Sequence, residues 1–172
     1  MGILGGNPKN EPLNYGEVSS LWSMSMMAKG LFSCYQAWSY HAGDKDVKAM
    51  LKDLMEQSKL ESKECDELLL DNGITPAPAL PERPEAKWED IPVGARFMDP
   101  EIAMFLAHDT AVGLTACSQA IAMSTREDVG ALFAKYHATK AVFAARILRL
   151  NKEKGWLVPP PLQIERPEPV GV

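Results

Sequence analysis

Gly30-Leu31-Phe32-Ser33-Cys34-Tyr35-Gln36-Ala37 returns 83 positions later as Gly113-Leu114-Thr115-Ala116-Cys117-Ser118-Gln119-Ala120, with five of the eight residues identical. A second pair of blocks follows each copy. Asp46-Val47-Lys48-Ala49-Met50-Leu51 matches Asp128-Val129-Gly130-Ala131-Leu132-Phe133 at an offset of 82. Each copy lies in a long apolar run with helical spacing, and self-similarity at a fixed interval is the signature of a unit used twice. Two nearly equal offsets therefore predict one helical hairpin repeated, and an all-α bundle of four helices with approximate two-fold symmetry.

Working outward, helix 1 is expected over 14–42, with the inward stripe Leu21, Met24, Ala28, Leu31, Tyr35, Trp38 and Ala42. Gly43 supplies a left-handed stop and Asp44 caps helix 2, which covers 45–71 and ends at Asn72-Gly73. Its inward side is Val47, Leu51, Leu54, Cys65, Leu68 and Leu69. Residues 74–98 carry Pro76, Pro78, Pro81, Pro84 and Pro92, which forbid helix and favour an extended path. At roughly 3 Å per residue, such a segment spans the full length of a helix rising about 1.5 Å per residue. It is expected to cross from one end of the bundle to the other, held by Trp88, Ile91, Val93 and Phe97.

Asp99-Pro100-Glu101 opens helix 3 (99–124), with Asp99 capping and Pro100 in the first turn. Carrying the 83-residue offset over from helix 1 gives it the seam Met104, Ala107, Ala111, Leu114, Ser118 and Ile121. Ser124-Thr125-Arg126-Glu127 has the capping-box pattern for helix 4 (125–154), which turns Val129, Leu132, Phe133, Tyr136, Phe143, Ile147 and Leu150 inward. Gly155 ends it, and residues 155–172 read as an extended tail anchored by Trp156 and Leu157. Two short turns and one long crossover make helices 2 and 3 parallel, the ferritin-like order of connections; an all-up-down bundle is the alternative.

The chemistry is sparser. Carboxylate-bridged di-metal bundles need a Glu on each of two helices and a Glu-x-x-His on each of the other two. This chain has no Glu-x-x-His, and the middles of helices 1 and 3 are Met24, Ala28, Leu31 and Ala107, Ala111, Leu114. No cofactor is expected. Two charged residues do fall on inward stripes, Glu61 on helix 2 and Lys140 on helix 4. The repeat maps Ser58 onto Lys140, and antiparallel geometry puts Glu61 and Lys140 at similar heights. An unpartnered buried charge is costly, so the two are expected to pair; the alternative has Lys140 reaching outward and Glu61 at the rim. Glu17, Glu61, Glu64 and His137 are the weak candidates for a reduced metal set.

His41, in the last turn of helix 1, suits a cation there; His108 and His137 lie on other helices at other heights. Cys34, Cys65 and Cys117 are scattered and form no Cys-x-x-Cys, so they read as buried thiols of a reducing compartment. Cys117 with His137 is the one thiol–imidazole pair at matching height, and it reads as coincidence. No Gly-x-Ser-x-Gly elbow or phosphate loop is present, and no enzymatic activity is expected.

A formal charge of −5 argues against nucleic acid, and no apolar run is long enough to span a membrane. Met1 to Pro8 lacks the pattern of a signal peptide, and Gly6 stands where a myristoylation signal requires Ser or Thr, so the cytoplasm is the expected compartment. Lys29 is the one charged residue between Val18 and Ala42. Trp22, Met26, Met27 and Phe32 would make an apolar patch unless the crossover, the tail or another subunit covers them.

Several stretches carry a resemblance: Gly2-Ile3-Leu4 with Asn7-Pro8-Lys9-Asn10-Glu11-Pro12 and Tyr15-Gly16-Glu17; His41-Ala42-Gly43-Asp44-Lys45-Asp46; Asp90-Ile91-Pro92-Val93-Gly94-Ala95-Arg96-Phe97; and Leu150-Asn151-Lys152-Glu153-Lys154-Gly155-Trp156. Over nearly the whole chain the sequence resembles a family of uncharacterised ferritin-like proteins of spore-forming bacilli, assigned to the spore coat and related to coat protein F. Many relatives carry two such modules, whereas this chain has one. The resemblance implies sporulation as context, with deposition on the spore coat, and itself or other coat proteins as partners in a homo-oligomer. It brings no catalytic or ligand residues. A non-enzymatic structural or interaction protein is the first expectation, and a ferritin-like binder of metal or a small ligand is the alternative.

Overall fold

The computed structural model describes residues 11–163. The reading of the first ten residues as free of signals, and the far part of the tail, lie outside the described residues. Four helices form a bundle: α1 (Tyr15–His41), α2 (Lys45–Asp71), α3 (Asp99–Met123) and α4 (Glu127–Glu153). Tight packing joins α1 to α2 and α3 to α4, so the hairpin is the unit.

Local chemistry sets the helix ends. Asn14 and Glu17 form a reciprocal cap on α1, with Glu17 N donating to Asn14 Oδ1 at 2.9 Å and Asn14 N to Glu17 Oε2 at 2.8 Å. Asp44 caps α2 by accepting from the amides of Asp46 and Val47. The two C-terminal stops are also alike. Gly73 and Gly155, both at φ 72°, are the glycines in the left-handed region among the described residues. Each allows the double bond of a Schellman stop: Ile74 N donates to Leu69 O at 2.9 Å, and Trp156 N to Asn151 O at 2.8 Å. The residue after each glycine, Ile74 or Trp156, then packs into the core.

Three expected ends differ. Gly43 is not left-handed; α1 leaves its last turn through an extended Ala42 and passes straight into the Asp44 cap. Asp99 does not cap its own helix, because its carboxylate is taken by the turn of the other hairpin; Glu101 Oε2 accepts the Met98 amide instead, at 2.7 Å. The Ser124 box does not form either. The residue before α4 is Arg126, with no cap from its own side chain, and Glu17 accepts the amides of Thr125 and Arg126 at this end.

Residues 74–98 run alongside α1 and in its direction. Lys29 Nζ donates to Ala77 O at 2.5 Å, Arg83 Nε to Ser33 O at 3.0 Å, and the Phe97 amide to His41 Nδ1 at 3.1 Å. Contacts that climb α1 as the strap lengthens carry the chain to the far end, making α2 and α3 parallel. Two of the expected anchors are not anchors. Val93 is 79% exposed, and Trp88, 41% exposed, lies against the Arg96 guanidinium at 4.5 Å instead of the bundle. Ala77 and Phe97 hold the strap. His41 is likewise not the expected cation: it accepts the Phe97 amide, which only an unprotonated Nδ1 can do, and burial lowers its pKa.

The inward stripes obey one offset, and it is 82. Leu21, Met24, Ala28 and Tyr35 correspond to Ala103, Leu106, Thr110 and Cys117; Val47, Leu51, Leu54 and Cys65 correspond to Val129, Phe133, Tyr136 and Ile147. The seam expected for α3 was therefore one residue out. Met104 is 60% and Ile121 37% exposed, while Ile102, Ala103, Leu106, Thr110, Cys117 and Ala120 face the core. α3 is apolar around its circumference, so its own spacing could not correct the register.

The core comes in two parts. Around His41 and the start of α3, Tyr35, Val47, Leu51, Ile102, Leu106, Phe143 and Ile147 pack with Trp38, Phe97 and Trp156. Around the start of α1 and the end of α2, Leu21, Met24, Cys65, Leu69, Cys117, Val129, Phe133 and Tyr136 pack with Ile74. Polar side chains separate the two at mid-height.

Candidate functional site

Helices α1 and α3 meet at both ends. Trp38 stacks on Phe105 with ring centroids 5.5 Å apart, and at the other end a Cβ on Gly16 would lie 2.7 Å from Met123 Cε. Between these points the helices part and leave a cleft of about 420 Å³. Its walls are apolar: Met24, Met27, Ala28 and Leu31 from α1, Val112, Ala116 and Met123 from α3, and Phe133 and Phe143 deeper in. Ser19, Ser20, Ser23 and Gln119 line it as well, and its polar interior includes Gln57, Ser58, Glu61, Asp109 and Lys140. That size, with a largely apolar surface and polar groups gathered in its interior, is the usual character of a small-molecule site.

Lys140 Nζ donates to both carboxylate oxygens of Glu61, at 2.7 and 2.8 Å, and Gln57 Nε2 adds a bond of 3.1 Å to Oε1. The side chains of Lys140 and Glu61 are 14% and 4% exposed, so the pair lies almost wholly out of water. A glycine makes room for it. A Cβ on Gly113 would stand 2.8 Å from Lys140 Cδ, so any other residue there would force the lysine stem to shift where it passes over α3. The pair sits where the two apolar clusters are interrupted, and each charge stabilises the other where neither could be buried alone.

Asp109 is the other charged group here. It is half-buried, and its Oδ2 is fully enclosed without a hydrogen-bond donor among the described residues. Burial raises its pKa, while His108 beside it pulls the other way. The effect of the two carboxylates is felt nearby: burial first, then the charges of Asp109 and Glu61, push the Tyr35 hydroxyl above its ordinary range. Asp109 was the residue that sequence reasoning passed over. Its signal was available, since it is the one Asp, Glu, Lys or Arg between Glu101 and Arg126.

The other candidate ligands do not gather. Glu17 lies at the end of the bundle, with Oε1 accepting the amides of Thr125 and Arg126 at 2.7 Å each. Burial raises its carboxyl pKa, but the amides of Arg126, Asn14 and Thr125 outweigh that and hold it below the usual carboxylate range. Glu64 accepts from Lys135 Nζ at 2.5 and 2.7 Å and from the Tyr136 hydroxyl at 2.9 Å. His137, within α4, is half-buried, and its imidazole makes no hydrogen bond among the described residues. No group of three or more His, Cys, Asp or Glu among the described residues is placed to hold a metal ion.

Two of the thiols are poor nucleophiles. Cys65 and Cys117 are buried, and burial pushes them up to about 12 and about 11, far from the thiolate at neutral pH. Cys34 is exposed, against expectation, because the α1 stripe places Tyr35 inward and leaves its neighbour outside.

Across residues 1–168 the chain matches the family model described as "Protein of unknown function (DUF3231)". It is 45% identical over 166 residues to the uncharacterized protein YvdQ of Bacillus subtilis (strain 168), covering 96% of this chain and 98% of that one. Among solved structures, a protein of Bacillus halodurans C-125 described as a "putative spore coat protein" superposes with a TM-score of 0.90 at 45% identity, covering 92% of this chain and 100% of that one. A conserved hypothetical protein of Mycobacterium tuberculosis shares the fold, with a TM-score of 0.64 at 16% identity over 78% of this chain and 96% of that one. None of the described helices is long and apolar enough to cross a membrane.

Proposed function

This chain belongs to the DUF3231 family, and from that premise we propose that it is a non-enzymatic structural or interaction protein of the spore, associated with the coat and working by packing against copies of itself or other coat proteins. The observation that carries the reading is the outer surface of α1 and α3. Met27 is 48%, Met104 60% and Val112 49% exposed, with Trp22, Met26, Ile121 and Met123 exposed on the same two helices. No Lys or Arg stands between Glu101 and Arg126 to solvate α3. Apolar surface of this extent is the mark of a face that associates. The coat itself comes from the description of the Bacillus halodurans relative, which shares 45% of the sequence. Synthesis in the cytoplasm and later deposition on the spore is the matching itinerary.

Sedimentation velocity over micromolar to millimolar protein tests it. A dimer or larger species that persists in a chelator is the expected result, and Met104→Glu with Met27→Glu should return it to monomer without lowering the melting temperature. A chain that stays monomeric throughout overturns the proposal.

A further inference from the structure

The cleft between α1 and α3 opens onto that outer surface, sharing Met27, Val112 and Met123 with it, but its deeper chemistry is its own. Glu61 and Asp109 bring two carboxylates into it, and Lys140 brings one ammonium already given to Glu61. Asp109 keeps an enclosed oxygen that no described residue serves. His108 lines the cleft beside Asp109 without serving that oxygen, so no lysine or arginine in the cleft is left for the Asp109 carboxyl, between walls that are largely apolar. We propose that this cleft binds a small amphipathic cation, a primary amine on an apolar body, with its ammonium on the Asp109 carboxyl and its body between Met27 and Val112. An ammonium supplies donors that Asp109 lacks, and a charge-assisted bond away from water is the strong kind. The walls take an aliphatic or aromatic body, and about 420 Å³ is enough for one of drug size. An anion is disfavoured because Lys140 is already neutralised by Glu61.

The probe is monodansylcadaverine, a naphthalene sulfonamide with a primary amine on a pentyl chain, titrated into the full chain at neutral pH and followed by its emission. Saturable binding with a blue shift is expected. The N-acetylated compound, which lacks the cation, should bind at least about tenfold more weakly. Asp109→Asn should cost the amine a similar factor and leave the acetylated compound unchanged. Ala116→Trp, at an exposed position on the cleft wall, should abolish binding of both, with helical content and melting checked for each variant. Equal binding of the amine and its acetyl derivative would show an apolar cleft without the cation site and overturn the proposal. So would an Asp109→Asn chain that binds the amine as before, or the absence of saturable binding.

Discussion

Glu17 and Asp99 make the same contact at opposite ends of the molecule. Glu17, in the first turn of α1, accepts the amides of Thr125 and Arg126 at 2.7 Å each; Asp99, in the first turn of α3, accepts those of Gly43 and Asp44 at 3.0 Å each. All three pairs of equivalents, 17 and 99, 43 and 125, 44 and 126, differ by 82. Each hairpin thus begins with an acid that satisfies the free amides opening the last helix of the other. Since α1 and α3 separate along their middle, these clamps tie their two ends, while α2 and α4 are bonded along their length by pairs such as Glu61 with Lys140 and Glu64 with Lys135. The placement also suits electrostatics, because a carboxylate is favoured at a helix N-terminus.

Removing either clamp should loosen the turn it holds. Glu17→Ala is expected to cost about 2 kcal/mol, within the usual range for a buried, charge-assisted set of bonds. Asp99→Ala should cost less, because Glu17 is 1% exposed whereas Asp99 is half-buried. Hydrogen exchange gives the sharper reading: Glu17→Ala should speed exchange at Thr125 and Arg126, and Asp99→Ala at Gly43 and Asp44. Uniform acceleration across the bundle in both variants would refute two separate clamps.

Lys140→Met should strand Glu61 away from water and lower stability at neutral pH by at least about 2 kcal/mol. Glu61→Leu together with Lys140→Met should recover most of that loss, since two apolar side chains leave no charge to solvate. Denaturant unfolding of the two single variants and the double closes the cycle. A Lys140→Met chain of wild-type stability would mean that the pair is not holding anything in place.

Gly30 and Gly113 stand at the same place in the repeated octapeptide, yet their surroundings are opposite. A Cβ on Gly30 would meet nothing within 4 Å, whereas one on Gly113 would meet Lys140 Cδ at 2.8 Å and Cε at 3.1 Å. Gly30→Ala should therefore gain the helix-propensity difference, roughly 0.5–1 kcal/mol. Gly113→Ala should lose stability in the wild-type chain, because the lysine stem must shift off Glu61, and should gain it in a Lys140→Ala background. Thermal unfolding of the four variants decides the matter; the same sign for both glycines in the wild-type chain would contradict the packing seen here.

That contrast also explains how far the sequence could be read. The four helices, the hairpin order and the long strap follow from apolar spacing, Gly73, Gly155 and five prolines, all local signals. The register of α3 does not. The octapeptide match at 83 aligns an outward glycine with an inward one, and an all-round apolar helix has no spacing of its own to overrule it. Ion pairs such as Glu61 with Lys140 were legible because two opposite charges on facing stripes have few other fates. The clamps were not, since Glu17 and Asp99 each look like the cap of their own helix until the opposite turn is seen in place. The cleft was hidden for the same reason: it exists only where two helices part, a property of neither sequence alone.

Asp109 yields the last expectation. Burial raises its pKa in the folded chain, against the pull of His108, and Tyr35, Glu61 and Lys140 line the cleft with it. A carboxyl whose folded pKa is raised holds its proton more tightly when folded. Its contribution to stability is thus fully present below the unfolded value, near 3.9, and is lost as pH rises through the folded value. Above the folded value the charged carboxylate weighs against folding, by about 1 kcal/mol for one enclosed, unserved oxygen. Asp109→Asn should therefore be more stable than wild type at pH 7, with the gain shrinking as pH falls toward about 4. Urea unfolding at the two pH values measures it. A gain of the same size at both would trace the effect to packing, and a loss at pH 7 would show that the carboxylate is served after all.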